Sequence, residues 1–105
     1  MSLNRDFTLA RGAAIATQFR FGYVEQAPSG NLTVDENWPG MIVLTPSAAI
    51  DLVIDSGVPK GTVFVVINQD ATNAITVKLG STSKGTVAAG ASALVFVTDG
   101  DVVVK

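Results

Sequence analysis

Short apolar segments alternate with polar turns from residue 40 to the end of the chain, at a spacing of about ten residues. The segments are rich in valine, isoleucine and leucine, and β-branched side chains suit the pleated surface of a sheet. No stretch keeps the helical period of about 3.6 residues over the length of a helix. The pattern therefore predicts strands at residues 41–44, 50–55, 62–68, 74–79, 86–87, 92–98 and 101–105.

Alternation within these segments also predicts which side chains point inward. Ile50, Leu52 and Ile54 occupy alternate positions and are expected to share a buried face. The polar residues 80–85 predict a turn, and the Asp-Gly pair at residues 99–100 predicts a tight hairpin. We expect an all-β fold: a single small β-sandwich or barrel, jelly-roll-like, whose strand order the pattern does not fix.

The first 39 residues differ from the rest and predict a division into two parts. Residues 1–39 are interpreted as an extended N-terminal arm with the first strands, and residues 40–105 as the β-sandwich or barrel body. Residues 19–24 alternate clearly, whereas residues 7–15 fit either an extended segment or a short helix around residues 13–16.

Aromatic and arginine side chains are concentrated in this arm. Tyr, Trp and Arg are enriched at protein interfaces, so a partner-docking arm is one interpretation. The other is that each aromatic side chain fills the core of the domain, and for any single one this is favoured. The candidate docking residues are Arg5, Phe7, Arg11, Phe19, Arg20, Phe21, Tyr23 and Trp38.

The composition is apolar for so short a chain. Hydrophobic residues make up 48% of the 105 residues and charged residues only 15%. A domain of this size leaves much of its surface exposed, so an apolar excess indicates that other subunits cover part of it. A well-filled monomeric sandwich is the alternative.

The charge pattern narrows the possible partners. A net charge of −2 argues against a nucleic-acid partner, which needs a basic face. No apolar run approaches the roughly 18 residues of a membrane helix, so no membrane partner is expected. All three arginines lie in the first twenty residues, where Asp6 is the single acid. This asymmetry fits an arm that docks on a partner, and it equally fits chance.

Catalytic chemistry is poorly represented in the sequence. The chain contains no histidine and no cysteine, which excludes Cys/His zinc sites, Cys-His nucleophiles and Ser-His-Asp triads. The carboxylates are better explained as solvated or turn residues, and a calcium loop lacks its later bidentate Glu. We therefore expect a non-enzymatic protein with no catalytic residues, metal or cofactor. The possible carboxylate pairs are Asp51 with Asp55, Asp35 with Glu36, and Asp99 with Asp101.

The C-terminal half resembles β-rich modules of tailed-bacteriophage virion proteins, found in trimeric capsid decoration (cement) proteins and in tail-fibre domains. The matching segments are Thr-Val-Phe-Val-Val-Ile-Asn within residues 61–68, Ala-Ile-Thr-Val at residues 74–77, and the Ala-Gly-Ala-Ser and Leu-Val-Phe-Val-Thr-Asp-Gly segments within residues 89–100. The resemblance covers residues 50–105. Members commonly place an aromatic residue shortly after the Asp-Gly, where this chain has Asp101 and Val102.

This resemblance implies a homotrimer located on the capsid surface of the virion. The expected function is a decoration protein that binds the major capsid protein and stabilises contacts between capsid subunits. Arg5, Arg11 and Arg20 are then expected to face capsid carboxylates. The alternative is a tail-fibre module that recognises a host glycan or protein through Tyr23 and Trp38. A small hydrolase using Asp51 and Asp55 is the least favoured hypothesis.

Overall fold

The computed structural model describes residues 20–105, and in this range every regular element is a β-strand. The strands form a five-stranded sheet in the order β1-β3-β5-β8-β9 and a four-stranded sheet in the order β2-β4-β6-β7. The all-β prediction is confirmed. The strands are β1 (Tyr23–Gln26), β2 (Leu32–Val34), β3 (Met41–Leu44), β4 (Ile50–Ile54), β5 (Val63–Asn68), β6 (Ile75–Leu79), β7 (Thr82–Val87), β8 (Ser92–Thr98) and β9 (Asp101–Val104).

The chain crosses from one sheet to the other after each of the first five strands. Consequently β1, β3 and β5 are parallel neighbours in one sheet, and β2, β4 and β6 are parallel neighbours in the other. The last three strands add antiparallel pairs: β7 to β6, β8 to β5 and β9 to β8. The finer prediction of a jelly-roll-like sandwich or barrel is not confirmed, since the first six strands pair in parallel and a jelly roll is built from antiparallel Greek keys.

Two turns with the same hydrogen bonds each connect a strand of the four-stranded sheet to the next strand of the five-stranded sheet. Asp35 begins the turn between β2 and β3, where its carbonyl accepts the N–H of Trp38 at 3.2 Å. Asp55 begins the equivalent turn between β4 and β5, where its carbonyl accepts the N–H of Val58 at 3.1 Å. Each aspartate side chain also accepts the backbone N–H two residues later, and a proline follows each turn. This internal repeat is a feature that the sequence analysis missed.

The core lies where the two sheets face each other. Ile50, Leu52 and Ile54 are each at most 3% exposed, so their predicted shared face is confirmed as buried. Phe64 is the largest fully buried side chain and comes from β5 in the opposite sheet. The remaining buried apolar side chains of this core are Val34, Ile42, Leu44, Val58, Val66, Ile75, Val77, Val87, Val95, Val97 and Val102.

The two sheets converge along β7 and β9. The Cβ position of Gly85 lies 2.8 Å from the Cβ of Val104, so only glycine permits this approach. Lys84 bridges the same gap through an ion pair with Asp101 at 2.7 Å. Lys84 also lies at a register shift in β7, where Val77 pairs with Gly85 and Lys78 with Ser83.

The predicted strands agree with the structure except in one polar stretch. The hairpin at Asp99-Gly100 is confirmed, and Gly100 has a φ of +73°. The prediction that residues 80–85 form a turn was wrong, because β7 already begins at Thr82 and the turn is only Gly80-Ser81. Serine and threonine in this strand face solvent, so polarity alone did not distinguish strand from turn. Residues 7–18 lie outside the described residues.

A buried asparagine connects the loop after β5 to β7. Asn68 is 1% exposed, and its side-chain amide donates to the carbonyls of Asn73 (2.8 Å) and Val87 (3.2 Å). Its side-chain oxygen accepts the N–H of Asp70 at 3.0 Å. The carboxylate of Asp70 in turn accepts the N–H groups of Asn73 and Thr72, and these bonds hold the pKa of Asp70 below its ordinary value.

Gly85→Ala tests the contact between the sheets. We expect a loss of about 1–3 kcal/mol in the free energy of unfolding, because the added methyl group overlaps Val104. Gly30→Ala is the matched control, since no atom lies within 4 Å of its Cβ position. The control is expected to change stability by less than about 1 kcal/mol. Urea denaturation measures both variants, and equal losses would contradict the assignment.

Acid unfolding tests the Asp70 loop. Because the folded-state pKa of Asp70 is lowered, its stabilising contribution is full above the unfolded carboxyl pKa of about 4 and is lost as the pH falls through the folded value. We therefore expect the stability difference between the wild type and Asp70→Ala to be largest near neutral pH and to shrink below about pH 4. Urea midpoints measured across this range check it. A difference independent of pH would show that the carboxylate charge does not stabilise the loop.

Candidate interaction surface

The outward face of the four-stranded sheet is polar. Asp51 lies beside Thr76 in the register, and its carboxylate forms an ion pair with Lys78 at 2.9 Å. This face is typical of a sheet side that remains in water. Its outward side chains are Thr33, Asp51, Val53, Thr76, Lys78, Ser83 and Thr86.

The outward face of the five-stranded sheet is apolar, in contrast. One row crosses the sheet from Tyr23 through Met41 and Val65 to Leu94, and Tyr23 and Leu94 are 58% and 40% exposed. We call this the outer apolar face. Its apolar members are Tyr23, Met41, Val63, Val65, Ile67, Leu94, Phe96 and Val103. Val43 also points to this side but is only 2% exposed, so it is not part of the accessible face.

Strand β5 contributes apolar side chains to both the core and the outer apolar face. Val63, Val65 and Ile67 point outward, while Phe64 and Val66 point into the core. A continuous apolar run of this kind is typical of a strand covered on both sides. A contiguous apolar patch on the surface of a sheet is typical of an interaction site.

The structure places some of the sequence-predicted docking residues near this face. Tyr23 lies on it, and its hydroxyl donates to the Glu25 carboxylate at 3.3 Å. Phe21 is 43% exposed and lies within 3.1 Å of the Cβ position of Gly40 at the same edge, and Arg20 is exposed.

Of the other predicted docking residues, Trp38 lies within the part of the chain that the structure describes. Trp38 is half-buried in the turn between β2 and β3 and packs against the core. Arg5, Phe7, Arg11 and Phe19 lie outside the described residues. Strands β1 and β2, from the predicted N-terminal part, pair directly with β3 and β4 of the predicted body.

Sequence reasoning missed the central part of the surface. The sequence predicts Met41, Val65, Leu94 and Phe96 as strand residues without a binding role, because an apolar residue in a strand is most often buried. The absence of polar alternation from Val63 to Ile67 was the pattern that could have identified them.

The candidate catalytic carboxylates have structural partners. Asp51 is paired with Lys78, and Asp55 accepts the N–H of Gly57 at 3.0 Å. The hydrogen bond from Lys84, followed by that from the Val102 N–H, lowers the pKa of Asp101 below its ordinary value. Among the described residues no group of three or more Asp, Glu, His or Cys side chains is arranged to hold a metal ion. Residues 20–105 contain no helix long and apolar enough to cross a membrane.

A small cleft of about 270 Å³ opens at the end of the sheets where β4 and β6 finish. Its lining includes Val58, Leu79 and Val97, with Asp55 and Asp101 among its polar residues. Ligand pockets usually occupy about 300–1,000 Å³, so this cleft lies below the usual range for a small-molecule site.

No family model, curated protein or solved structure matches this chain. Its function is therefore inferred from its own residues, and the outer apolar face is the feature that requires a functional explanation.

Paired threonine substitutions test whether this face contributes to folding. Leu94→Thr alters an outward position that is 40% exposed, so we expect the free energy of unfolding to change by less than about 1 kcal/mol. Val95→Thr places a hydroxyl in the core one residue later and is expected to cost about 1–3 kcal/mol. Urea denaturation measures both. A larger loss for Leu94→Thr would show that the outer apolar face supports the fold itself.

Proposed function

We propose that this chain is a non-enzymatic structural protein of a bacteriophage virion, a decoration protein that binds the major capsid protein as a homotrimer. The observation that carries the proposal is the outer apolar face, which provides a binding surface without any catalytic group. The resemblance of residues 50–105 to phage virion modules supplies the identity of the partner.

The difference between the two sheets supports an orientation on the capsid. We regard the sheets as the two layers of a β-sandwich, with the five-stranded layer directed at the capsid and the four-stranded layer at the solvent. Burying one large apolar side chain contributes about 1.5–3 kcal/mol. Leu94, Val65 and Met41 are already partly covered and each contributes less than this, so binding depends on burying many members of the outer apolar face together.

The N-terminal arginines complete the proposed contact. Arg20 is exposed and lies just before β1, at the edge of the outer apolar face. Arg5, Arg11 and Arg20 are expected to face capsid carboxylates around the apolar contact, since charged groups at a rim give orientation and specificity more than affinity.

The tail-fibre alternative has weaker support. Stacking a host glycan between Tyr23 and Trp38 requires both rings to be exposed at a tip. Tyr23 is 58% exposed, but Trp38 is half-buried against the core. No specific observation therefore favours this function over capsid decoration.

Co-sedimentation with phage capsids that lack the decoration protein tests the proposal. Leu94→Lys introduces a charge on the outer apolar face, and we expect it to weaken capsid binding at least about tenfold, equivalent to 1.4 kcal/mol. Thr76→Lys, on the polar face of the other sheet, is the matched control and is expected to bind like the wild type. Failure of the wild type to co-sediment, or equal binding by both variants, would contradict the proposal.

A further inference from the structure

The central row of the outer apolar face crosses all five strands of its sheet. Tyr23, Met41, Val65 and Leu94 are register neighbours, and the carbonyl of Leu94 accepts the N–H of Lys105 at 2.8 Å at the far end of the row. Among the described residues no further strand lies over this row. Contiguous exposed apolar patches bind a partner or promote aggregation, so a cover of the same width would stabilise the chain before it reaches any capsid.

The two ends of this row carry opposite charge. The hydroxyl of Tyr23 donates to the carboxylate of Glu25 on β1, so both side chains lie on the outer side of the sheet. At the other end Val102 of β9 is buried, and alternation along the strand directs Val103 and Lys105 outward. Glu25 and Lys105 are both exposed. The outer apolar face therefore has an acidic edge at β1 and a basic side chain at the β9 edge, about 19 Å apart at the usual strand spacing.

We infer that two copies of this chain cover each other's outer apolar face, related by a two-fold axis that runs along the strands and passes through Val65. Val65 lies on β5, the middle strand of the five, so it meets its own counterpart at the axis. The rotation exchanges the β1 and β9 sides, so Met41 lies opposite Leu94 of the second copy and Glu25 lies near Lys105. The same patch serves both copies, and the charge pair occurs twice.

The charges disfavour the other two-fold arrangement. An axis through Val65 that ran across the strands would place each edge over the same edge of the second copy, so Lys105 would face Lys105. Like charges brought together at an interface oppose association. Asp101, the acidic residue of β9, is already held by Lys84 at 2.7 Å. The axis along the strands is therefore the arrangement in which the edge charges attract.

The size of the outer apolar face predicts a weak contact. Five strands about 4.8 Å apart, with about five residues of 3.4 Å each, give a face of about 24 by 17 Å. Two such faces would bury about 800 Å² in total, whereas stable interfaces bury about 1,200–2,000 Å². The pair is therefore reversible, and a larger partner that covers the same face displaces the second copy.

This inference goes beyond the proposed function, because it concerns the protein before it binds a capsid. The contact is two-fold, so it doubles the assembly that carries the face: a single chain becomes two chains, and a homotrimer becomes six. Self-association and capsid binding use one surface and exclude each other.

A cysteine at the axis tests the arrangement directly. The chain contains no cysteine, so a disulfide formed by Val65→Cys in oxidised glutathione joins two copies. Facing sheets about 10 Å apart are close enough for such a bond. Thr76→Cys is the matched control, since Thr76 is equally half-buried but lies outward on the four-stranded sheet. We expect linked pairs of Val65→Cys and less than about a tenth as many of Thr76→Cys, and equal yields would overturn the inference.

Charge reversal tests the orientation of the two copies. At about 100 µM, sedimentation is expected to give the wild type and the control Thr76→Lys twice the mass of Leu94→Lys, which introduces a charge inside the contact. Glu25→Lys and Lys105→Glu each bring like charges together and are expected to weaken association at least about fivefold. The double variant restores both pairs with reversed sign and is expected to associate within about threefold of the wild type.

The remaining outcomes separate this inference from the proposed function. A wild type with the same mass as Leu94→Lys would overturn the inference, and single reversals without rescue in the double variant would overturn the orientation. Cooperative thermal unfolding checks that each variant is folded, and the disulfide yield stands as the test if Leu94→Lys does not fold. Capsid binding without mass doubling would contradict only this inference, whereas mass doubling without capsid binding would contradict only the proposed function.

Discussion

The structure depends on the parallel register of neighbouring strands, which joins β1, β3 and β5 in one sheet and β2, β4 and β6 in the other. Each of the first five strands is followed by a strand of the opposite sheet, so Leu52 lies between Leu32 and Val77 in one sheet while Ile42 lies between Val24 and Val66 in the other. A slip of one residue in any pair would turn its inward side chains to the outside. The matching turns at Asp35 and Asp55 fix this register, because each has the same aspartate hydrogen bonds.

The C-terminal strands complete the sheets and also close one side of the fold. Antiparallel pairing of β7, β8 and β9 ends the parallel order, and Gly85 lets β7 approach Val104 of β9. At the opposite side, β1 and β2 are the end strands among the described residues, and their inward side chains Val24 and Leu32 are only partly buried. This difference between the two sides follows from chain direction, because β1 and β2 come first among the described strands and no earlier described strand pairs with them.

Sequence alternation predicted much of the local structure and little of the assembly of strands. The inward face of Ile50, Leu52 and Ile54 follows from a period of two residues, and Asp99-Gly100 determines its own turn. Periodicity does not state which strand is a neighbour, so parallel pairing was not predictable. The outer apolar face was missed because an apolar residue such as Val65 fits a covered strand whether the cover is the same chain or another protein.

The β1 and β2 edges and the outer apolar face differ in the physical interaction that each offers to a partner. Backbone hydrogen bonds at the β1 and β2 edges are directional and would fix the register of any strand that pairs there. The proposed binding by the outer apolar face would rest on burial of apolar area, which is non-directional and tolerates small displacements of a partner. Tyr23 and Glu25 lie where the two surfaces meet, since their backbone groups face the edge and their side chains lie on the outer sheet face. The proposed homotrimer would present three outer apolar faces together, so that weak contacts from each copy act as one multivalent attachment.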